Sequence, residues 1–118
     1  MNLVPNEAFW AALDKLIEKS EIVVDRPTGY VHPDYPDFIY RIDYGFLEGT
    51  DSSDGEPIDV WIGSDEEKKL IGVFCTVDFD KRDMEVKLLI GCTAEEIDYI
   101  NHEYNDYDSM KGLLILRD

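Results

Sequence analysis

Tyr40-Arg-Ile-Asp-Tyr44-Gly-Phe-Leu-Glu-Gly-Thr-Asp-Ser-Ser-Asp54-Gly-Glu56-Pro-Ile-Asp59 sets the pattern for the whole chain. An alternating run with two tyrosines enters a loop of Gly, Ser and Asp, residues that favour turns. The loop leaves carboxylates at Asp54, Glu56 and Asp59, and the chain resumes as an apolar strand, Val60-Trp61-Ile62. Clustered carboxylates suit hard divalent cations, which need several anionic oxygens at short range. A plain solvated turn has the same composition. An EF-hand register fails: Gly55 at the sixth loop position puts Thr50 at the first and Trp61 at the twelfth, and neither ligates as required.

Upstream, Phe38 to Leu47 reads as one strand, with Tyr40, Ile42 and Tyr44 on one face and Arg41 and Asp43 on the other. Regular strand rise would set Tyr40 and Tyr44 ~13 Å apart. Tyrosine hydroxyls can donate to phosphate oxygens, although half-buried packing is their commoner use. Downstream, Lys69–Phe79 and Met84–Cys92 form an antiparallel hairpin across the polar turn Asp80-Lys81-Arg82-Asp83. Glu85 and Lys87 share one face of its second strand, while Val86, Leu88 and Ile90 face the other way. A carboxylate and an ammonium beside Asp80 could hold a cation and a phosphate oxygen together, or form a surface salt bridge.

Around this centre the elements are short. Phe9, Trp10, Leu13, Leu16 and Ile17 make one apolar stripe of a helix over 6–19, with Pro5 and Asn6 as start signals. Glu21–Asp25 is a β-branched strand, and Arg26-Pro-Thr-Gly29 a turn. The segment Val31–Asp37 carries two prolines and is no central strand. Pro57–Gly63 is a strand. Thr93-Ala-Glu-Glu96 is a capping box that opens a helix to about His102. Gly112–Arg117 closes the chain as a strand. The pattern predicts a single domain over 1–118: a small antiparallel β-barrel with helices packed on it, the first within 1–20.

Composition narrows the function. The 118 residues are 44% hydrophobic, enough for a core, and carry a net charge of −16. That charge repels nucleic acid and anionic lipid, so neither is an expected partner. An anionic substrate needs metal ions or a local cluster of Lys and Arg to enter. Met1–Asn6 shows no leader pattern, and no apolar run is long enough to span a bilayer. Cys75 and Cys92 lack a CxxC spacing and read as reduced thiols, which places the chain in the cytoplasm without a disulfide. His32 and His102 show no zinc spacing and read as structural.

These groups together resemble the soluble inorganic pyrophosphatases, and most closely a short bacterial branch of them. Tyr40-x-x-x-Tyr44-Gly-Phe46 is similar to the family's Tyr-Pro-x-Asn-Tyr-Gly-Tyr. Asp54-Gly-Glu56-Pro-Ile-Asp59 is similar to its Asp-Gly-Asp-Pro-x-Asp signature. Asp80, Glu85 and Lys87 match a later Asp, Asp and Lys, and Tyr104-Asn105 falls where the family has a Tyr-Lys pair. Val24-Asp-Arg-Pro-Thr-Gly and Val31-His-Pro resemble the short branch. The likeness runs from residue 21 onward.

The resemblance implies a five-stranded OB-like barrel acting on pyrophosphate with Mg²⁺, or Mn²⁺ in its place. Asp54, Glu56, Asp59, Asp80 and Glu85 would hold the metals. Lys87, Tyr44, Tyr40 and Tyr104 would face phosphate, and Glu56 would orient or deprotonate the attacking water. Family members commonly assemble into oligomers, and the N-terminal helix is a candidate interface or a cap on the barrel. Glu56 and Glu85 stand where the family has aspartates, Asn105 replaces a lysine, and Glu21, Val23 and His32 fill the places of an early Lys-x-Glu pair and a barrel arginine. Arg26 and Arg41 are the candidate substitutes, Arg41 pointing away from the tyrosine face of a regular strand. Two alternatives follow: a hydrolase of another phosphoanhydride or phosphoester, or a homologue that binds metal and phosphate with weakened turnover.

Overall fold

A computed structural model describes residues 7–117, so the expected start signals Pro5 and Asn6 and the Met1–Asn6 segment lie outside the described residues. The element order is α1 (Glu7–Glu18), β1 (Glu21–Arg26), β2 (Asp43–Glu48), β3 (Ile58–Ile62), β4 (Leu70–Asp78), β5 (Asp83–Ile90), α2 (Ala94–Asn105) and β6 (Met110–Leu116). The strands form one six-stranded sheet in the order β1-β2-β3-β5-β4-β6.

The class expected from sequence holds: mainly β, with two helices, α1 before the first strand and α2 before the last. The barrel does not. The order runs from edge strand β1 to edge strand β6, and the sheet stays open. It has six strands, as the segment-by-segment reading of the sequence placed them, where the family resemblance implied a barrel of five. It is also mixed, because β3 and β5 pair in parallel, Asp59 opposite Lys87 and Trp61 opposite Leu89. A parallel pairing needs a crossover, and here the crossover is β4, which then pairs antiparallel on the far side of β5.

Alternation gives the sheet two buried faces. Leu47, Val60, Val73, Leu88 and Ile90 pack with Trp10 of α1 on one side. Tyr40, Ile42, Trp61, Phe74, Leu89 and Ile100 of α2 pack on the other. The α1 stripe is narrower than its sequence suggests, since Phe9 is 46% exposed while Trp10 is buried. Arg117 clamps α1 to the end of the chain through two 2.8 Å hydrogen bonds to the Asp14 carboxylate. The second helix is capped as expected: Thr93 Oγ1 accepts from Glu96 N, and Glu96 Oε1 accepts from Thr93 N at 2.8 Å. It runs to Asn105, a turn beyond His102.

The expected strand Phe38–Leu47 is shorter than its alternation predicts. Only Asp43–Glu48 is strand. Tyr40 is paired with the turn instead: its N–H donates to Tyr30 O at 2.9 Å and its carbonyl accepts from Gly29 N at 2.7 Å. The backbone therefore bends between Tyr40 and Tyr44, and their ring centroids lie 5.6 Å apart, not at strand spacing. Gly45 follows Tyr44 because β1 crosses it closely: a Cβ there would collide with the Val23 carbonyl.

Candidate active site

The face of the sheet under α2 opens into a cleft of about 1070 Å³. Lys87 stands at its base. The residue is only 5% exposed, because β5 runs between β3 and β4 in the middle of the sheet. A buried ammonium requires partners, and it has them. Lys87 Nζ donates to Tyr44 Oη at 2.8 Å and to Asp59 Oδ2 at 3.0 Å. Glu85 Oε2 lies 3.7 Å away. The Tyr44 and Tyr104 ring centroids lie 5.3 and 5.8 Å from the ammonium.

Register explains the convergence. Asp59 is the direct β3 partner of Lys87, and Glu85 lies two residues earlier on the same face of β5. Tyr44 is opposite Trp61 on β2, one strand further out. Trp61 Nε1 donates to Tyr104 Oη at 3.1 Å and so holds α2 over the cleft.

The electrostatics follow from this packing. Burial works against the charge on Lys87, but Tyr104, Tyr44, Asp59 and Glu85 outweigh it and raise the pKa well above the ordinary lysine value. Burial likewise raises Tyr44 well above the ordinary phenol range and pushes Tyr104 up to about 12. Both phenols therefore keep their protons at neutral pH. At the edge of the cleft, Arg26 Nη1 donates to Tyr40 Oη at 2.6 Å, with its guanidinium 5.6 Å from that ring. Burial and the nearby Arg26 hold His32 below the ordinary imidazole range. Asp34 N donates to its Nδ1 at 3.0 Å, as a neutral ring requires.

The cleft thus gathers Arg26, Tyr40, Tyr44, Asp59, Asp80, Glu85, Lys87 and Tyr104 from the sequence-derived set. It does not gather Asp54 or Glu56, which are exposed on the preceding loop. Asp54 Oδ1 closes its own turn, accepting from Ser52 Oγ at 2.6 Å and from Glu56 N at 2.9 Å. Those bonds, the Ser52 one foremost, lower the Asp54 pKa, and Lys87 adds a weaker pull. Asn105 serves structure: its Oδ1 accepts from Gly112 N at 3.0 Å and ties α2 to β6.

Sequence reasoning passed over several lining residues: His32, Trp61, Thr76, Asp78 and Lys81. Trp61 was within reach, since it shares the Asp59 face of β3 by alternation. Thr76 lies opposite Glu85 across the hairpin. Asp78 accepts from Lys81 N at 3.1 Å and shapes the turn that carries Asp80 and Lys81. Arg41 does reach the cleft, over the Tyr99 ring at 6.0 Å, because the bend at Tyr40 cancels strand alternation.

Oxygen donors line this cleft, and they are the right kind for a hard divalent ion. Asp59 and Glu85 flank Lys87 and keep 28% and 31% of their side-chain surfaces open. No cluster of three metal-ligating side chains is assembled among the described residues. Cations from four places, Arg26, Arg41, Lys81 and Lys87, face the same space. The cleft thus combines a cationic base, phenols that keep their protons and open carboxylates, groups able to bind phosphate oxygens and a cation.

Comparison with known proteins agrees. The sequence model of the inorganic pyrophosphatase family matches residues 17–117. The chain belongs to the inorganic pyrophosphatase family, hydrolases acting on a phosphoanhydride. No curated protein matches by sequence. Among solved structures, the fold is similar to an inorganic pyrophosphatase of Helicobacter pylori, at 18% identity and a TM-score of 0.54, over 80% of this chain and 81% of that one. It is similar to an inorganic phosphatase of Anaplasma phagocytophilum, at 15% identity and a TM-score of 0.55, over 80% and 81% of the two chains. A pyrophosphatase of Coxiella burnetii gives 15% identity and a TM-score of 0.52, over 83% and 82%. At such identities the likeness is one of fold.

Proposed function

We propose that the cleft around Lys87 hydrolyses inorganic pyrophosphate to two phosphates with Mg²⁺, or Mn²⁺ in its place. The observation that carries this reading is the meeting of Lys87 with Tyr44, Asp59 and Glu85 in one open cleft of a pyrophosphatase-family chain. Lys87 and Arg26 offset the charge of the phosphate oxygens. Tyr44 and Tyr104 keep phenolic protons that can be donated as charge moves onto the leaving phosphate. Asp59 and Glu85, with Asp80 at the mouth, are the carboxylates that would hold a divalent ion. Such an ion supplies Lewis-acid charge and a more acidic water.

The loop carrying Asp54 and Glu56 has to fold toward the cleft for Asp54 to join those ligands and for Glu56 to take the proton of the attacking water. Closed in that way, the loop would add the Asp54 and Glu56 carboxylates to Asp59 and Glu85 as ligands for a divalent ion. No described helix is long and apolar enough to cross a membrane. Two free cysteines agree with a reducing, cytoplasmic setting.

A phosphate-release assay tests this reading. Wild-type protein with pyrophosphate and Mg²⁺ should release phosphate, and a chelator should abolish the release. No release at any Mg²⁺ or Mn²⁺ concentration would remove the proposal.

A further inference from the structure

The cleft is larger than pyrophosphate needs, and its outer walls are aromatic. At about 1070 Å³ it matches the upper end of clefts that enclose ligands of drug size. Two tyrosines on its walls are exposed: Tyr35 at 60% and Tyr107 at 52%. Tyr35 tops a closed loop. His32 N donates to Phe38 O and Phe38 N to Tyr35 O, both at 2.9 Å, and Val31 bridges Ile39. The Tyr35 ring leans on His32 at 4.9 Å, and His32 stacks parallel to Tyr40 at 6.2 Å. A staircase of flat rings therefore climbs from the Arg26–Tyr40 pair to the rim.

Pyrophosphate has no apolar surface, so exposed rings gain nothing from it. A base with a π-face does gain, since stacking on aromatic side chains accepts any nucleobase. We infer that the cleft takes nucleoside diphosphates, with the diphosphate toward Lys87 and Arg26 and the base stacked at the Tyr35–His32 rim, with Tyr107 as a second exposed ring on the cleft wall. This inference rests on the phosphoanhydride reading of the same cleft. Charge agrees with it. Asp25, Asp34, Asp37, Asp78 and Glu103 also line the cleft, and an esterified diphosphate has one ionisable proton fewer than free pyrophosphate, so its full charge is lower. In the reaction, water forms a bond to the terminal phosphorus and the bridging P–O bond breaks. The nucleoside monophosphate leaves with the bridging oxygen, and one proton passes to solvent.

The test compares pyrophosphate, ADP and UDP under the same Mg²⁺ conditions, using wild type, Tyr35→Phe and the double variant Tyr35→Ala/Tyr107→Ala. Both positions are exposed, so the fold should survive, which circular dichroism checks. The double variant should raise KM for ADP and UDP about tenfold, as lost stacking predicts. Its kinetics on pyrophosphate should not change, and Tyr35→Phe should behave as wild type. Turnover of pyrophosphate without hydrolysis or binding of ADP or UDP would overturn the inference while leaving the proposed function intact. An equal rise of KM for pyrophosphate in the double variant would overturn it too. If wild type turns over none of the three, calorimetry with ADP decides: binding that the double variant weakens supports the rim, and absent binding refutes it.

Discussion

Lys87 is held inside the protein with its ammonium shared between a phenol and two carboxylates. Replacing it with Met leaves Asp59 and Glu85 without their counter-charge and removes the main cation at the base of the cleft. Lys87→Met should cost ~100-fold or more in kcat for pyrophosphate, the scale of losing a preorganised charge in a water-poor site. Tyr44→Phe removes one hydrogen bond and should cost about tenfold. Because the folded pKa of Lys87 is raised, its contribution to stability is complete below the ordinary lysine pKa and is lost only as pH rises through the folded value. Urea midpoints for wild type relative to Lys87→Met should therefore keep a constant gap from pH 6 to 9. The cysteines give a second contrast. Burial pushes the Cys92 thiol up to about 12, while Cys75 is half-buried. A maleimide at pH 7.5 should label Cys75 first and leave Cys92 unmodified until the protein unfolds.

Elements differ in how far their sequence betrays them. The α2 start was legible because a capping box is local: Thr93 and Glu96 satisfy each other's neighbourhood within four residues. Glu96 also accepts from Ser64 N at 3.0 Å, joining the helix to the segment after β3. Glu96→Ala should cost about 1 kcal/mol, as lost caps do. Its pKa is lowered, burial working against the shift and the Thr93 and Ser64 bonds overcoming it. That stability is present above the unfolded carboxyl pKa and lost as pH falls through the folded one, so the gap between wild type and variant should narrow below about pH 4.5. The β4–β5 hairpin was legible for the same local reason. The parallel β3–β5 pairing was not, since register between distant strands leaves no mark on either. The start of β2 was misread because Tyr40 and Ile42 are buried like strand residues while the Tyr40 backbone pairs with the Gly29–Tyr30 turn. Lys81 was missed as a cleft cation, and Arg41, a candidate from sequence, was expected to point away from the tyrosines, because only tertiary packing turns them inward.

Over the whole molecule the charge of −16 opposes compaction. Screening by salt should raise the thermal midpoint between 20 and 500 mM NaCl, most steeply at the low end, where the Debye length shrinks through molecular dimensions. Scanning calorimetry checks this. The same excess explains why anions need the inward-facing Arg26, Arg41, Lys81 and Lys87. The chain runs these cations and the carboxylates Asp59, Asp80 and Glu85 into one cleft from segments far apart in sequence. The most direct measurement is phosphate released from pyrophosphate at saturating Mg²⁺ by wild type and Asp59→Asn, side by side. The account predicts turnover by wild type and a loss of ~100-fold or more in the variant, with a weaker apparent Mg²⁺ affinity. Equal turnover by the two proteins would contradict it.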